Sequence, residues 1–353
     1  MIIRTRHWWA LVLLVALGLS PLRAYGQESE TITNFVRLWS AAQKAQAAGN
    51  YQEAVARYAD VATILPFDPS TRYHWACCLV KLGKIDGALD QLQAAIDYGW
   101  CYTVALEQDE VWQPLRTDPR LAEKIKAAAD CRDETLVVHA AEGVGRDRPA
   151  PVLVVLHGLG IGPRSEVPYW KSAADRLGMA LVAPRAGTRF GPLIHGWQRA
   201  EARDSSAPDF YDLEAAQERV GAALEEAARR YRIDRSAVVL AGYSQGGGVA
   251  LGLMANHPER FRGAVVINSL CPPLEKEKWR KVAEHGGARV QIIAGEFDKL
   301  LGRSRSAAEV LRTLPLEMRL DVVERAGHEF PHNYSDHLSA ALRFVLSGAG
   351  DKE

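Results

Sequence analysis

The 353-residue chain predicts an α/β fold, a mostly parallel sheet flanked by helices, preceded by an all-α region. Three observations predict it. Short β-branched apolar runs recur from Leu136 to Val323 and alternate with helical stretches, as strands buried on both faces do. Ahead of them, residues 31–128 place Ala, Leu and Ile at helical spacing with scarcely a β-branched run. Between the two, at Cys131-Arg132-Asp133-Glu134, the periodicity changes.

The chain opens with Arg4, Arg6 and His7, then an uncharged run from Trp8 to Leu19, then the small residues of Ala24-Tyr25-Gly26. That order predicts a secretory signal over residues 1–26, cut after Gly26, and a secreted or periplasmic protein. The apolar run falls short of the roughly 20 residues that span a bilayer, so no stable membrane span is expected after cleavage. The chain balances 43 basic against 43 acidic residues, and losing Arg4, Arg6 and Arg23 leaves it mildly acidic. Nothing in that balance suits nucleic acid. The five cysteines have no zinc spacing, and no metal or cofactor is expected. Buried free thiols are the preferred reading. One disulfide among Cys77, Cys78, Cys101 and Cys131 is the alternative.

A repeat organises the helical region, residues 31–130. At an offset of 34 residues, Gly49 matches Gly83, Tyr51 matches Ile85, Ala54 matches Ala88 and Tyr58 matches Leu92, with Ala42 and Ala76 at equivalent places. The pattern resembles tetratricopeptide repeats. Two units are few, so a closing helix pair is expected over Ala105–Ala129. The resemblance implies either packing against the rest of the chain or a protein or peptide partner.

Residues 134–347 supply the sheet. Strands are expected at Leu136–Val138, Val152–Leu156, Ala180–Ala183, Val238–Ala241, Gly263–Asn268, Val290–Ala294 and Leu320–Val323, with helices near Tyr169–Leu177 and Asp212–Tyr231. The fourth strand runs into Gly242-Tyr243-Ser244-Gln245-Gly246, a G-x-S-x-G turn that leads into a helix. Such an elbow exposes a serine hydroxyl, and its glycines stand where side chains would clash.

A serine attacks only when a histidine takes its proton, and the histidine needs a carboxylate to orient it. Asp298 follows the strand Val290–Ala294 and His328 follows the strand Leu320–Val323, which makes them the acid and base for Ser244. Glu296 is the rival acid, and His332 and His337 are the rival bases. An oxyanion hole also needs backbone N–H groups, here Gln245 together with Leu159 or Gly158 in His157-Gly158-Leu159-Gly160. His157 itself is read as structural.

Residues 150–345 resemble the phospholipase/carboxylesterase family of α/β hydrolases, which includes the acyl-protein thioesterases. The resemblance rests on His157-Gly158-Leu159-Gly160, Ala183-Pro184-Arg185 with Thr188, Gly196-Trp197, Gly242-Tyr243-Ser244-Gln245-Gly246-Gly247, Gly295 with Asp298, and Gly327-His328. It implies hydrolysis of a carboxylic ester or thioester through an acyl-enzyme on Ser244, without metal or cofactor, on a small-molecule, lipid or glycan ester. The family tends to have an aromatic residue and an aspartate after the tryptophan, where this chain has Gln198-Arg199. Trp197 and Arg199 are accordingly the candidate substrate contacts, and the segment Gly196–Asp209 is expected to set the substrate. A prolyl-oligopeptidase-like peptidase shares the elbow, but about 100 helical residues cannot form its propeller. A binding protein with the hydrolase fold as scaffold is the remaining alternative, and it has no need of a triad.

Overall fold

The computed structural model describes residues 30–347 except Ile161, Pro192 and Pro208, so the expected signal segment, residues 1–26, lies outside the described residues. Helices Glu30–Ala47, Tyr51–Ile64, Pro69–Lys81 and Ile85–Asp97 pack in sequence as two hairpins. Each hairpin turns at a glycine with positive φ, 77° at Gly49 and 69° at Gly83. Any side chain would strain the backbone there. Ala42 and Ala76, Ala54 and Ala88, and Tyr58 and Leu92 are all fully excluded from solvent. The 34-residue offset is therefore a repeat of packing as well as of residue type.

The expected closing pair forms differently. A short helix Thr103–Gln108 and a 3₁₀ segment Glu110–Leu115 precede one long helix, Pro119–Asp133. Pro114 lies inside the 3₁₀ segment and has no N–H to give an α-helix, which explains the tighter, shorter element. The long helix runs on past residue 130 because Cys131 is buried and disulfide-bonded to Cys101. That bond corrects the preference for free thiols in this pair. Cys77, Cys78 and Cys271 are free and buried.

The sheet comprises β1 (Leu136–His139), β2 (Ala150–Leu156), β3 (Ala180–Pro184), β6 (Ile233–Tyr243), β7 (Gly263–Ile267), β8 (Arg289–Gly295) and β9 (Glu317–Val323). Thr188–Arg189 and His195–Gly196, β4 and β5, form a separate small ribbon. The large sheet has the order β1-β3-β2-β6-β7-β8-β9, with β1 antiparallel to β3 and every other pairing parallel. Successive strand residues point to opposite faces. Val152, Val154 and Leu156 join Val238 and Leu240 in one core, against helices Leu213–Arg230, Gln245–Asn256 and Leu301–Arg312. Leu153 and Val155 join Val239 and Ala241 in the other, against Pro163–Arg176 and Tyr334–Leu346. Two covered faces are why these strands read as continuous apolar runs.

The helix expected from Tyr169 starts at Pro163 instead. Proline suits a first helical position, but Pro168 lies inside and removes one N–H. This first stretch is held from outside, by Arg164 Nε at 2.7 Å from Glu134 Oε2 and by a buried carboxyl at Glu166. The helical region packs on the sheet region elsewhere too. Thr31 Oγ1 lies 2.6 Å from His332 Nε2, and the Phe67 ring meets Tyr169 edge-on at 4.9 Å. Of the two uses implied for the helices, packing against the rest of the chain is the one observed. Among the described residues no helix is long and apolar enough to cross a membrane.

Two glycines of the second hairpin should respond oppositely to alanine. Gly83 has space for a methyl but a positive φ, so Gly83→Ala should cost about 1 kcal/mol. Gly87 begins a helix with ordinary φ and a nearest neighbour, Leu79 Cδ1, at 3.7 Å, so Gly87→Ala should add about 0.5 kcal/mol. Denaturant midpoints that moved in the same direction would contradict this account.

Candidate active site

Parallel strands all end at one edge of the sheet, and the loops that leave β2, β6, β8 and β9 there bring the site together. Tyr243 ends β6, Gln245 begins the next helix, and Ser244 between them has φ 52° and ψ −115°. A non-glycine residue is rarely found there. Two hydrogen bonds hold it in place: Ser244 N–H donates to Ile267 O at 2.9 Å, and Leu270 N–H donates to Ser244 O at 2.8 Å.

Ser244 Oγ lies 3.0 Å from His328 Nε2, and His328 Nδ1 lies 3.1 Å from both carboxylate oxygens of Asp298. Asp298 is only 5% exposed. An ionised carboxylate can only accept, so the ring proton belongs on Nδ1, and Nε2 is free to accept from the serine hydroxyl. Asp298 Oδ1 is fixed further by the N–H of Leu300 at 2.9 Å. The rivals lie elsewhere. Glu296 is exposed and accepts from Arg325 N–H, His332 pairs with Thr31, and His337 sits exposed on the last helix.

The oxyanion candidates separate. Gln245 supplies the first N–H of the helix after the serine, and Leu159 sits on the facing loop. Gly158 does not qualify, because its N–H already donates to Glu166 Oε1 at 2.6 Å. Glu166 is 1% exposed and its other oxygen, Oε2, is buried without a hydrogen-bond partner. Burial holds the pKa of this carboxyl well above the usual range, which favours its uncharged form. His157 is buried beside it. Its Nδ1–H donates to Gly158 O at 2.7 Å and its Nε2 accepts from Ala186 N–H at 2.9 Å, so both ring nitrogens are used by backbone. Burial lowers its pKa to about 4 and keeps it neutral, as a structural loop residue should be.

The candidate substrate contacts do not stand where the sequence suggested. Trp197 is 2% exposed, its ring N–H donates to His157 O at 2.8 Å, and its backbone N–H donates to Gln245 Oε1 at 2.7 Å. It is a strut between the two loops. Arg199 is exposed and its backbone N–H is bonded to Phe210 O. Gln198, also buried, accepts from the Gln245 side-chain amide. A cavity of about 300 Å³ borders His328, and neither Trp197 nor Arg199 lines it. Its walls come from Gly160–Tyr169, from the histidine loop and from the helical region.

Sequence reasoning missed Asn268. Its side-chain amide donates to Gly327 O at 3.2 Å and Glu329 O at 2.7 Å, while its carbonyl accepts from Gly295 N–H at 2.8 Å. One side chain thus ties the histidine loop to the acid loop. Tyr243 adds a second tie, its hydroxyl donating to His328 O at 2.7 Å. Among the described residues, no group of three or more His, Cys, Asp or Glu could hold a metal ion.

The phospholipase/carboxylesterase family model matches residues 139–345, more than half of the chain. NocK of Nocardia uniformis subsp. tsuyamanensis, a protein assigned as an esterase, is 29% identical over 168 residues, which cover 46% of this chain and 44% of NocK. The chain thus spans less than half the length of that relative. An uncharacterized Bacillus cereus protein is similar at 16% identity over 88% of this chain and 98% of its own, with a TM-score of 0.47. A Bacillus cereus carboxylesterase is similar at 21% identity over 60% of this chain and 92% of its own, with a TM-score of 0.46. With the family match spanning the sheet from the end of β1 onward and each of the loops that meet at Ser244, this chain belongs to the phospholipase/carboxylesterase family of α/β hydrolases.

Proposed function

We propose that the protein is a secreted serine hydrolase that cleaves a carboxylic ester or thioester through an acyl-enzyme on Ser244. The observation that carries this is the unbroken line from Ser244 Oγ to His328 at 3.0 Å and from His328 to buried Asp298 at 3.1 Å. Ser244 Oγ attacks the carbonyl carbon as its proton passes to His328 Nε2, and Asp298 stabilises the imidazolium. The carbonyl oxygen becomes negative and takes hydrogen bonds from the N–H groups of Gln245 and Leu159. When the carbon–oxygen or carbon–sulfur bond breaks, His328 returns its proton to the leaving alcohol or thiol. Water then repeats the sequence on the acyl group, releasing the acid and regenerating Ser244. Secretion is supported by the basic, apolar and small-residue order of residues 1–26.

Glu166 has a positioning role in this scheme. By holding Gly158 N–H it takes that amide out of the oxyanion set and leaves Leu159 as the remaining candidate donor on the loop. Burial favours the uncharged form of this carboxyl, and that form accepts without adding a charge to the loop.

A fluorophosphonate probe should label the native protein at Ser244 and leave Ser244→Ala unlabelled; labelling of that variant would sink the assignment. Ser244→Ala and His328→Ala should each lower kcat by about 10⁴–10⁶. Glu166→Ala strips a buried N–H of its acceptor, at a cost of about 1–3 kcal/mol, and should lower kcat by about ten- to a hundredfold with KM little changed. Glu166→Gln keeps a neutral acceptor and should restore the rate. Stability supplies an independent check. Unfolded Glu releases its proton near about pH 4.3, whereas the folded chain retains it. The folded state then binds one proton more, so this group's contribution is fully present below that pH and declines as pH rises. The denaturant midpoint of Glu166→Gln should therefore gain on that of the native chain as pH rises above about 4.3.

A further inference from the structure

The cavity that borders His328 is shared between the two parts of the chain, and aromatic rings stand in its lining beside charged residues such as Arg132, Glu134 and Arg185. Phe67, Trp100 and Tyr102 come from the helical region, and Tyr169, Tyr243 and Phe330 from the sheet region. The rings are ordered. Tyr243, the residue before the serine, stacks on Phe330 at 5.1 Å between centroids, Phe330 lies flat on Tyr169 at 4.0 Å and 4°, and Tyr169 takes the edge of Phe67 at 4.9 Å and 90°. On the other wall Trp100 meets Tyr102 at 5.7 Å. Leu65 adds an apolar side chain, and the loop that carries Gly160 and Gly162 closes the near side.

The stacked rings hold one another in fixed positions, so the apolar part of the lining is rigid, and a compact or planar apolar group fits a rigid apolar space at less entropic cost than a flexible chain does. Its volume of about 300 Å³ is at the small end of ligand sites, which run from about 300 to 1,000 Å³. A long fatty-acyl chain overruns it. We infer that the helical region and the hydrolase region together form a binding site for an aryl or short apolar group of the scissile ester, and that the helical region is thereby a determinant of substrate choice. This rests on the esterase reading above. The acyl part and the alcohol part of an ester could each supply such a group, and the two are separated by the substrates used.

The test compares p-nitrophenyl 3-phenylpropanoate with p-nitrophenyl acetate and palmitate for the acyl side, and 2-phenylethyl acetate with methyl acetate for the alcohol side. On one side the aryl ester should exceed its small counterpart in kcat/KM at least tenfold, and the palmitate should fall below the phenylpropanoate. That aryl preference should drop at least tenfold in Leu65→Ala and in Tyr102→Ala. It should stay within twofold in Val104→Ser, whose side chain is on the exposed surface of the same region. In the native protein, 3-phenylpropanamide should slow fluorophosphonate labelling of Ser244 at concentrations where acetamide does not, a readout that needs no variant. Labelled Ser244 with no aryl preference on either side, or a preference that both cavity variants retain, overturns this inference alone. Absence of labelling and of any ester turnover overturns the hydrolase reading, and this inference with it.

Discussion

A methyl group on Gly246 would lie 1.8 Å from the carbonyl oxygen of Leu156, and one on Gly242 would lie 2.3 Å from the carbonyl carbon of Gly246. No side chain of any size fits in either place, so the helix that follows β6 begins in direct backbone contact with the end of β2 and with its own strand. That crossing forces the turn at Ser244 into a positive φ, a conformation that costs roughly 1–3 kcal/mol for a residue with a side chain. The strain persists because the turn is pinned on both sides, by hydrogen bonds to Ile267 and Leu270 and by a helix whose first turns are buried. The same crossing sets the Gln245 N–H at the mouth of the site and the β2 loop opposite it. The proposed nucleophile and the proposed oxyanion donors are therefore placed by one contact.

His328 and Asp298, the proposed base and acid, arrive on other loops, and a loop left to itself does not hold a side chain to within a few tenths of an ångström. Buried polar side chains supply that order. Asn268 stands at the end of β7, between β6 and β8 in the sheet, and reaches the backbone of both the acid loop and the histidine loop. Its own φ of 44° shows the backbone turned to aim it. Glu166, Gln245 and Trp197 do the same for the oxyanion side. Each satisfies backbone groups that would otherwise be buried without partners, so fold stability and site geometry depend on the same bonds.

Local signals were legible and long-range ones were not. Strands covered on both faces announce themselves as apolar runs, and the elbow needs its glycines within five residues, so Ser244 and the order of Asp298 and His328 could be read directly. The 34-residue repeat was legible for the same reason, since Gly49 and Gly83 mark turns and Ala42 and Ala76 mark close approaches. Asn268 was invisible because its partners at Gly295 and Gly327 are brought near only by sheet order. Glu166 was passed over because a glutamate in the first turn of a helix ordinarily faces water, and nothing nearby in sequence marks it as buried. Trp197 misled in the opposite direction. A tryptophan beside a catalytic loop suggests a substrate contact, but its polar atoms are already consumed by His157 and Gln245.

The placement of the cavity bears on how the helical region is used. Pulling that region away would expose Phe67, Tyr169 and Phe330 to water at once and would break the link of Arg164 to Asp97 at 3.9 Å. The Cys101–Cys131 bond ties together two of the three segments ahead of the sheet that line the cavity. A swinging lid needs few buried contacts and a hinge, whereas these contacts are apolar, aromatic and cross-linked. The helical region is better described as a fixed wall. Substrate choice in such an arrangement depends on the shape of the wall, which can change at Leu65 or Tyr102 without disturbing the strained turn at Ser244.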